Sequence, residues 1–281
     1  MPSMKFIKRR ITSVKNTQQI MKAMNMVAAS KLQKAKKRLD TVRPLSLESM
    51  RIIKNASLCE GASESVFVTK REVKNTAYVV ISGDRGLCGS YNANITKEAL
   101  ASMNEGKNEK IISVGVKSWE FFKRRRKNVM QQRYVGLSDT VYYEDAEHIC
   151  NYLIRQYIAG EIDEAYIAYT HFETTLSHVP LVVKVLPIEG DPEQTFDNTE
   201  FDPDIAAFLE QAVPACLSMF IYGTLAESSV CEQAARMISM DSANHNAEEI
   251  IEDLTLMFNR KRQGIITQEI NEIVSGANAL Q

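Results

Sequence analysis

From Ser3 to Arg43 the chain contains neither Gly nor Pro, and its apolar residues recur in alternating steps of four and three. The seam runs Ile7, Ile11, Val14, Gln18, Met21, Asn25, Ala28, Leu32, Ala35, Leu39, Val42, and nine of these eleven positions are apolar. Such spacing specifies a helix whose apolar stripe needs a partner helix along its length. Ser3, or Thr12 and Ser13, can start it, and the first break is expected at Pro44. If the helix resumes through residues 48–56 it holds about 50 residues and spans ~75 Å at 1.5 Å per residue. A compact domain of this chain length has a radius of gyration of only ~19 Å, so the helix is expected to protrude. Gln18 and Asn25 within the seam are read as fixing its register or relaxing its packing.

The charge is lopsided. Residues 1–43 carry twelve Lys or Arg and one acid, Asp40, whereas residues 205–281 carry ten acids and four bases. Two terminal segments of opposite sign are suited to lie together, although exposed pairs contribute little each. The chain of 281 residues is 44% hydrophobic and 25% charged, enough for a substantial core. Five scattered cysteines (Cys59, Cys88, Cys150, Cys216, Cys231) without a CxxC spacing suit buried thiols in a reducing compartment better than disulfides or a zinc site. No uninterrupted apolar run reaches 18 residues, so no direct membrane span is expected. The basic N-terminus lacks an apolar h-region, and no transit peptide is expected.

The middle of the chain changes period. Strand-like runs at 78–82, 111–116, 165–170 and 181–186 alternate with helix-like stretches. One stretch carries Ile95, Ala99 and Met103 on one helix face with Asn92 as a candidate cap; others cover 119–126 and 145–158. This alternation implies an α/β layer with a largely parallel sheet. Residues 189–203, rich in Pro, Asp, Glu, Asn and Gly, read as a surface loop. Helix returns from about Asp204, with Leu209, Val213, Cys216 and Phe220 on one stripe and Leu217, Ile221 and Leu225 on the next. Ala234, Ala235, Met237 and Ile238 keep both stripes narrow, and the tail Ile266, Ile270, Ile273, Ala277, Leu280 is again a 4-3 repeat. Gly264 and Gly276 each weaken that helix by about 1 kcal/mol relative to Ala. The expected fold class is α/β: a long antiparallel coiled coil of the N- and C-terminal helices plus a central Rossmann-like α/β domain. The segments are 1–58 for the N-terminal helix, 75–190 for the α/β domain and 204–281 for the C-terminal helix.

Three stretches resemble a known family. ITSVKNTQQIMKAMNMVAASK at 11–31, DRGLCGSYN at 84–92, and AARMISMD at 234–241 continuing into NRKRQ at 259–263 and ITQEI at 266–270 resemble the signatures of the gamma subunits of F-type ATP synthases. The resemblance runs the length of the chain in order. Departures from the family pattern are small: Met21 in place of Thr, Ser90 of Gly, Phe258 of Tyr, and Lys261 and Gly264 of Ala. The cysteine-bearing regulatory insertion of the chloroplast members has no counterpart here, so redox control of that type is not expected.

The resemblance implies a rotor. In that family the paired terminal helices form a shaft inside a hexamer of alternating alpha and beta subunits (alpha3beta3). The α/β domain is a foot on the membrane c-ring, and the epsilon subunit sits beside it. It implies a non-catalytic subunit with no cofactor and no metal, peripheral to the cytoplasmic face of a bacterial cell membrane. It implies partner contacts at Arg262, Gln263 and Thr267, facing an acidic catch loop of the beta subunit, and at Arg236 and Met24. Lys8, Arg9, Lys31, Lys34 and Lys36 would give the shaft a positive surface. Isolated cations on a long helix are ordinarily a solvated face, and Met24 serves seam packing equally well.

Two other function classes fit less well. The loop Gly83-Asp84-Arg85-Gly86-Leu87-Cys88-Gly89 follows a strand, where α/β proteins place ligands. It lacks both the G-x-G-x-x-G spacing and a GK[ST] ending, and none of His148, His171, His178 or His245 is spaced to serve Cys88 as a base. A structural turn is expected there. The basic N-terminal helix and the cationic run at 123–127 suit phosphates. Aromatic residues are sparse beside them and the acidic C-terminal helix offsets the charge, so no nucleic-acid partner is expected.

Overall fold

A computed structural model describes residues 3–103, 108–137, 140–190 and 204–279, with backbone alone at 131–133, 276, 277 and 279. The expected loop at 189–203 lies mostly outside the described residues, as do the side chains of Ala277 and Leu280. Helix α1 spans Met4–Ala56 and α5 spans Ile205–Ala279. Between them run β1 (Asn75–Ile81), α2 (Tyr91–Ala101), β2 (Asn108–Val114), α3 (Val116–Arg124), β3 (Asn128–Tyr134), α4 (Tyr143–Ile158), β4 (Glu164–Phe172) and β5 (His178–Leu186). The chain divides into two compact units. Unit 1 joins Met1–Val27 to Met237–Gln281, and unit 2 is Ala28–Arg236.

Unit 2 is built on a five-stranded sheet of order β3-β2-β1-β4-β5. Its first four strands are parallel and β5 is antiparallel to β4. Alternation along β1 sends Tyr78 and Val80 to one face, where they meet Ile95 and Ala99 of α2 and Phe122 of α3. Ala77, Val79 and Ile81 face the other way. There α4 contributes Ile149 and Leu153, α1 Met50 and Ile53, and α5 Leu209, Val213, Leu217 and Ile221. The sheet is thus covered on both faces, which accounts for strands that read as continuous apolar runs.

Four local features differ from expectation. Pro44 lies inside α1 without ending it. Both Pro44 and Asp40, whose carbonyl loses its helical donor, are exposed, so water can satisfy the freed acceptor. The edge strand β3 has no strand signal, because NVMQQRY carries little of the apolar, β-branched content that marked its neighbours. Asn92 is not the cap of α2. Ser90 occupies that position, while the Asn92 side chain, in the first turn, reaches back into the preceding loop. Val116 belongs to α3 rather than to the strand before it.

Unit 1 is a pair of helices running antiparallel. Asn25 Nδ2 donates to the Met237 carbonyl at 3.0 Å, and Gln18 Nε2 donates to Glu248 Oε1 at 3.0 Å, so rising positions on α1 meet falling ones on α5. The seam residues of α1 that belong to this unit, Ile7, Ile11, Val14, Gln18, Met21 and Asn25, are all buried or half-buried. The answering seam on α5 is Met240, Ala243, Ala247, Ile251, Leu254 and Phe258, each buried or half-buried.

Candidate functional site

The last stretch of α5 is the first candidate. The expected 4-3 repeat there stays unpaired among the described residues: Ile266 is 46% exposed, Ile270 53% and Ile273 71%. Register explains this. With Asn25 at Met237 and Gln18 at Glu248, α1 has run out before α5 reaches its tail. The paired segment is 240–258, which sequence reasoning passed over in favour of the tail. The seven-residue spacing of Met240, Ala247 and Leu254 was the available signal. Arg262, Gln263 and Thr267 are all exposed on this tail. Thr267 Oγ1 donates to the Gln263 carbonyl at 2.9 Å, which fixes that hydroxyl back onto its own helix. Lys8 and Arg9 are exposed on α1, and Met24 is half-buried beside Asn25.

Arg236 has a different setting, in unit 2. Its guanidinium donates to Glu232 Oε1 at 2.5 Å and to Gln233 Oε1 at 3.0 Å, one and nearly one turn away. The Glu232 side chain is only 3% exposed and that of Arg236 12%. A carboxylate that deep requires its cation, so Arg236 is committed to an internal pair. Lys36 is likewise engaged within unit 2: Nζ lies 2.8 Å from Thr175 Oγ1 and 5.1 Å from the Phe172 ring centroid. Lys34 is exposed and Lys31 half-buried.

The 83–89 loop is a structural joint built around Glu232. A Cβ on Gly83 would fall 2.8 Å from the Glu232 carboxyl carbon, so a side chain there would press on the buried ion pair. The Asp84 carboxylate accepts from the backbone N–H of Val116 at 3.0 Å and of Gly136 at 2.8 Å, tying the loop to the entry of α3 and the exit of β3. Asn92 Oδ1 accepts from Gly83 N–H at 2.8 Å, and its Nδ2 donates to the Arg85 carbonyl at 3.1 Å. Cys88 is 1% exposed, and its thiol is pushed up by burial and then by the Glu232 charge. A thiol held protonated out of solvent is a poor nucleophile. The same burial raises Cys231 and, to about 12, Cys150. Among the described residues no group of three or more His, Cys, Asp or Glu is arranged to hold a metal ion.

Among the described residues one helix, α5, is apolar enough by composition to cross a membrane, with a stretch of mean hydropathy 1.5. Its early apolar residues Leu209, Val213, Leu217 and Ile221 are buried in the core of unit 2 instead.

A family model described as ATP synthase matches residues 3–280. The chain is 39% identical over 284 residues to the ATP synthase gamma chain of Desulforamulus reducens, covering all of both chains. It is 42% identical over 286 residues to the ATP synthase gamma chain of Pelotomaculum thermopropionicum, again end to end. Its fold is similar to a chain in the cryo-EM structure of the central stalk and c-ring of the Tetrahymena thermophila mitochondrial ATP synthase. That match has a TM-score of 0.61 and 25% identity, covering 80% of this chain and 99% of that one.

Proposed function

This chain belongs to the ATP synthase gamma chain family, and from that premise we propose that it is the rotating central shaft of an F-type ATP synthase. It is a stalk subunit and not itself the catalyst. Its segments 1–58 and 204–281 serve as shaft and 75–190 as foot. Its partners are the alpha3beta3 hexamer around the paired helices, the epsilon subunit, and the membrane c-ring whose ion-driven rotation it carries. That places it as a peripheral protein on the cytoplasmic face of a bacterial cell membrane.

One observation carries this reading: the tail of α5 keeps a 4-3 apolar repeat that its own chain leaves exposed. Helix of that pattern needs partners, and the shaft reading supplies them from the surrounding subunits. Arg262, Gln263 and Thr267 share this tail, so they are the first contacts to assign to the beta subunits, with Lys8, Arg9 and Met24 as flanking positions on α1. Arg236 contributes indirectly, by holding the 83–89 joint. The mechanism is coupling by differential contact. Each beta subunit's open and closed states are biased by the face of the shaft it meets, and a turn of the shaft changes which state is favoured.

The test is native purification of this chain from its own cells, with partner stoichiometry and ATP hydrolysis read from one sample. Three alpha and three beta subunits per copy, with coupled hydrolysis lost when the chain is stripped out, is the expected result. A lone chain or homo-oligomer overturns the reading.

A further inference from the structure

Helix α3 ends in a run of cations, Lys123-Arg124-Arg125-Arg126-Lys127, that neither the core nor the shaft uses. Lys123, Arg124, Arg125 and Arg126 are all exposed, and the chain turns at Arg126 with φ +56° to enter β3. Aromatic rings lie directly beneath two of them. Lys123 Nζ is 4.2 Å from the Trp119 ring centroid, and the Arg125 guanidinium is 3.6 Å from that of Phe121. These contacts hold the side chains without neutralising them.

The surroundings concentrate this charge. Because β1 to β4 are parallel, their N-terminal ends form one edge, with Asn75 opposite Asn108, Lys110 opposite Asn128 and Thr76 opposite Glu164. These acids near the edge are already engaged: Glu109 pairs with Lys127, Glu161 with Lys110, Glu164 with Lys184, Glu189 with Lys184 and Lys70, and Glu72 with Lys74, while Asp163 accepts from the backbone N–H groups of Lys74 and Asn75. Among the described residues no carboxylate pairs with positions 123–126, which are left as the net positive point of the edge. The same edge receives the far ends of the two long helices. Gly190 abuts the Lys54 carbonyl in the last turn of α1 and Leu58 just after it, and Gly61 abuts Ile205 at the start of α5.

We infer that residues 123–126 form an electrostatic docking surface for anionic lipid headgroups. The inference rests on the shaft reading, which brings the foot to the membrane surface that surrounds the c-ring. A laterally mobile anionic surface fits a short convex patch, since it demands charge and no complementary shape. Single-stranded nucleic acid is disfavoured because the nearby rings, on which bases would stack, are covered by Lys123 and Arg125.

The experiment is sedimentation of the full chain with phosphatidylcholine vesicles, with and without added phosphatidylglycerol. Binding is expected only to the anionic vesicles and should fall steeply with salt. Arg124→Gln with Arg126→Gln should lower partitioning on the order of tenfold. Arg124→Lys with Arg126→Lys should keep it, and so should Lys15→Gln with Lys37→Gln on α1. Equal loss in the α1 pair, equal binding to neutral vesicles, displacement by millimolar inorganic phosphate, or tighter binding to nucleic acid than to vesicles would each overturn the inference. Vesicle binding by a chain that never copurifies with a hexamer would keep this inference and remove the shaft reading. An assembled complex whose isolated chain ignores anionic vesicles would do the reverse.

Discussion

Two stretches of α5, about seven turns apart, carry an arginine each with opposite fates. Arg236 is closed into an ion pair with a glutamate that is 3% exposed, and the 83–89 joint packs over it. Arg262 stands exposed beside apolar residues that are themselves exposed, Ile266 and Ile270 among them. Both belong to stretches that resemble the same family, yet only the second is available to a partner as the chain stands. Stretches that carry one family resemblance therefore mix residues that hold the chain together with residues left exposed. Burial separates them.

The sharpest way to break this contrast is Arg236→Ala. Leaving the Glu232 carboxylate buried without its cation should destabilise unit 2 by about 3–5 kcal/mol, visible in denaturant unfolding; a shift under 1 kcal/mol would return Arg236 to the partner surface. Next in size is Gly223→Val. A Cβ at Gly223 would lie 2.1 Å from Ser46 Oγ where α5 crosses α1, so overpacking should cost about 3 kcal/mol. Normal stability in that variant would mean the two helices are less closely packed than the structure has them.

Arg262→Ala with Gln263→Ala should shift stability by no more than about 0.5 kcal/mol, as expected for exposed positions, while lowering ATP turnover in the assembled complex. Unchanged turnover and coupling would remove the assignment of these residues to the beta subunits. The smallest effect is expected at Gly264. Nothing lies within 4 Å of a Cβ there, so Gly264→Ala should stabilise the helix by about 1 kcal/mol. Its readout is amide exchange along the tail, and slower turnover in the same variant would show that a softened helix is part of the function.

How much was legible from residues alone varies along the chain. The α1 seam could be read position by position, because a 4-3 repeat makes burial a consequence of spacing. The parallel sheet followed from β-branched runs separated by helical periods, whereas β3, polar and at the edge, gave no such pattern. Pro44 reads as a break because the sequence does not say whether water can reach the carbonyl that the proline deprives of its donor. On α5 the periodicity was equally good in two places, and spacing could not choose between them.

The sequence by itself determined the period of each element, the polarity of its faces and the family signatures, since all three depend on neighbours along the chain. Only the tertiary structure decided which 4-3 segment of α5 is paired, because that depends on where α1 ends in the antiparallel register. Likewise, only packing decided that Arg236 is an internal counterion, because the burial of Glu232 is set by a loop about 150 positions earlier.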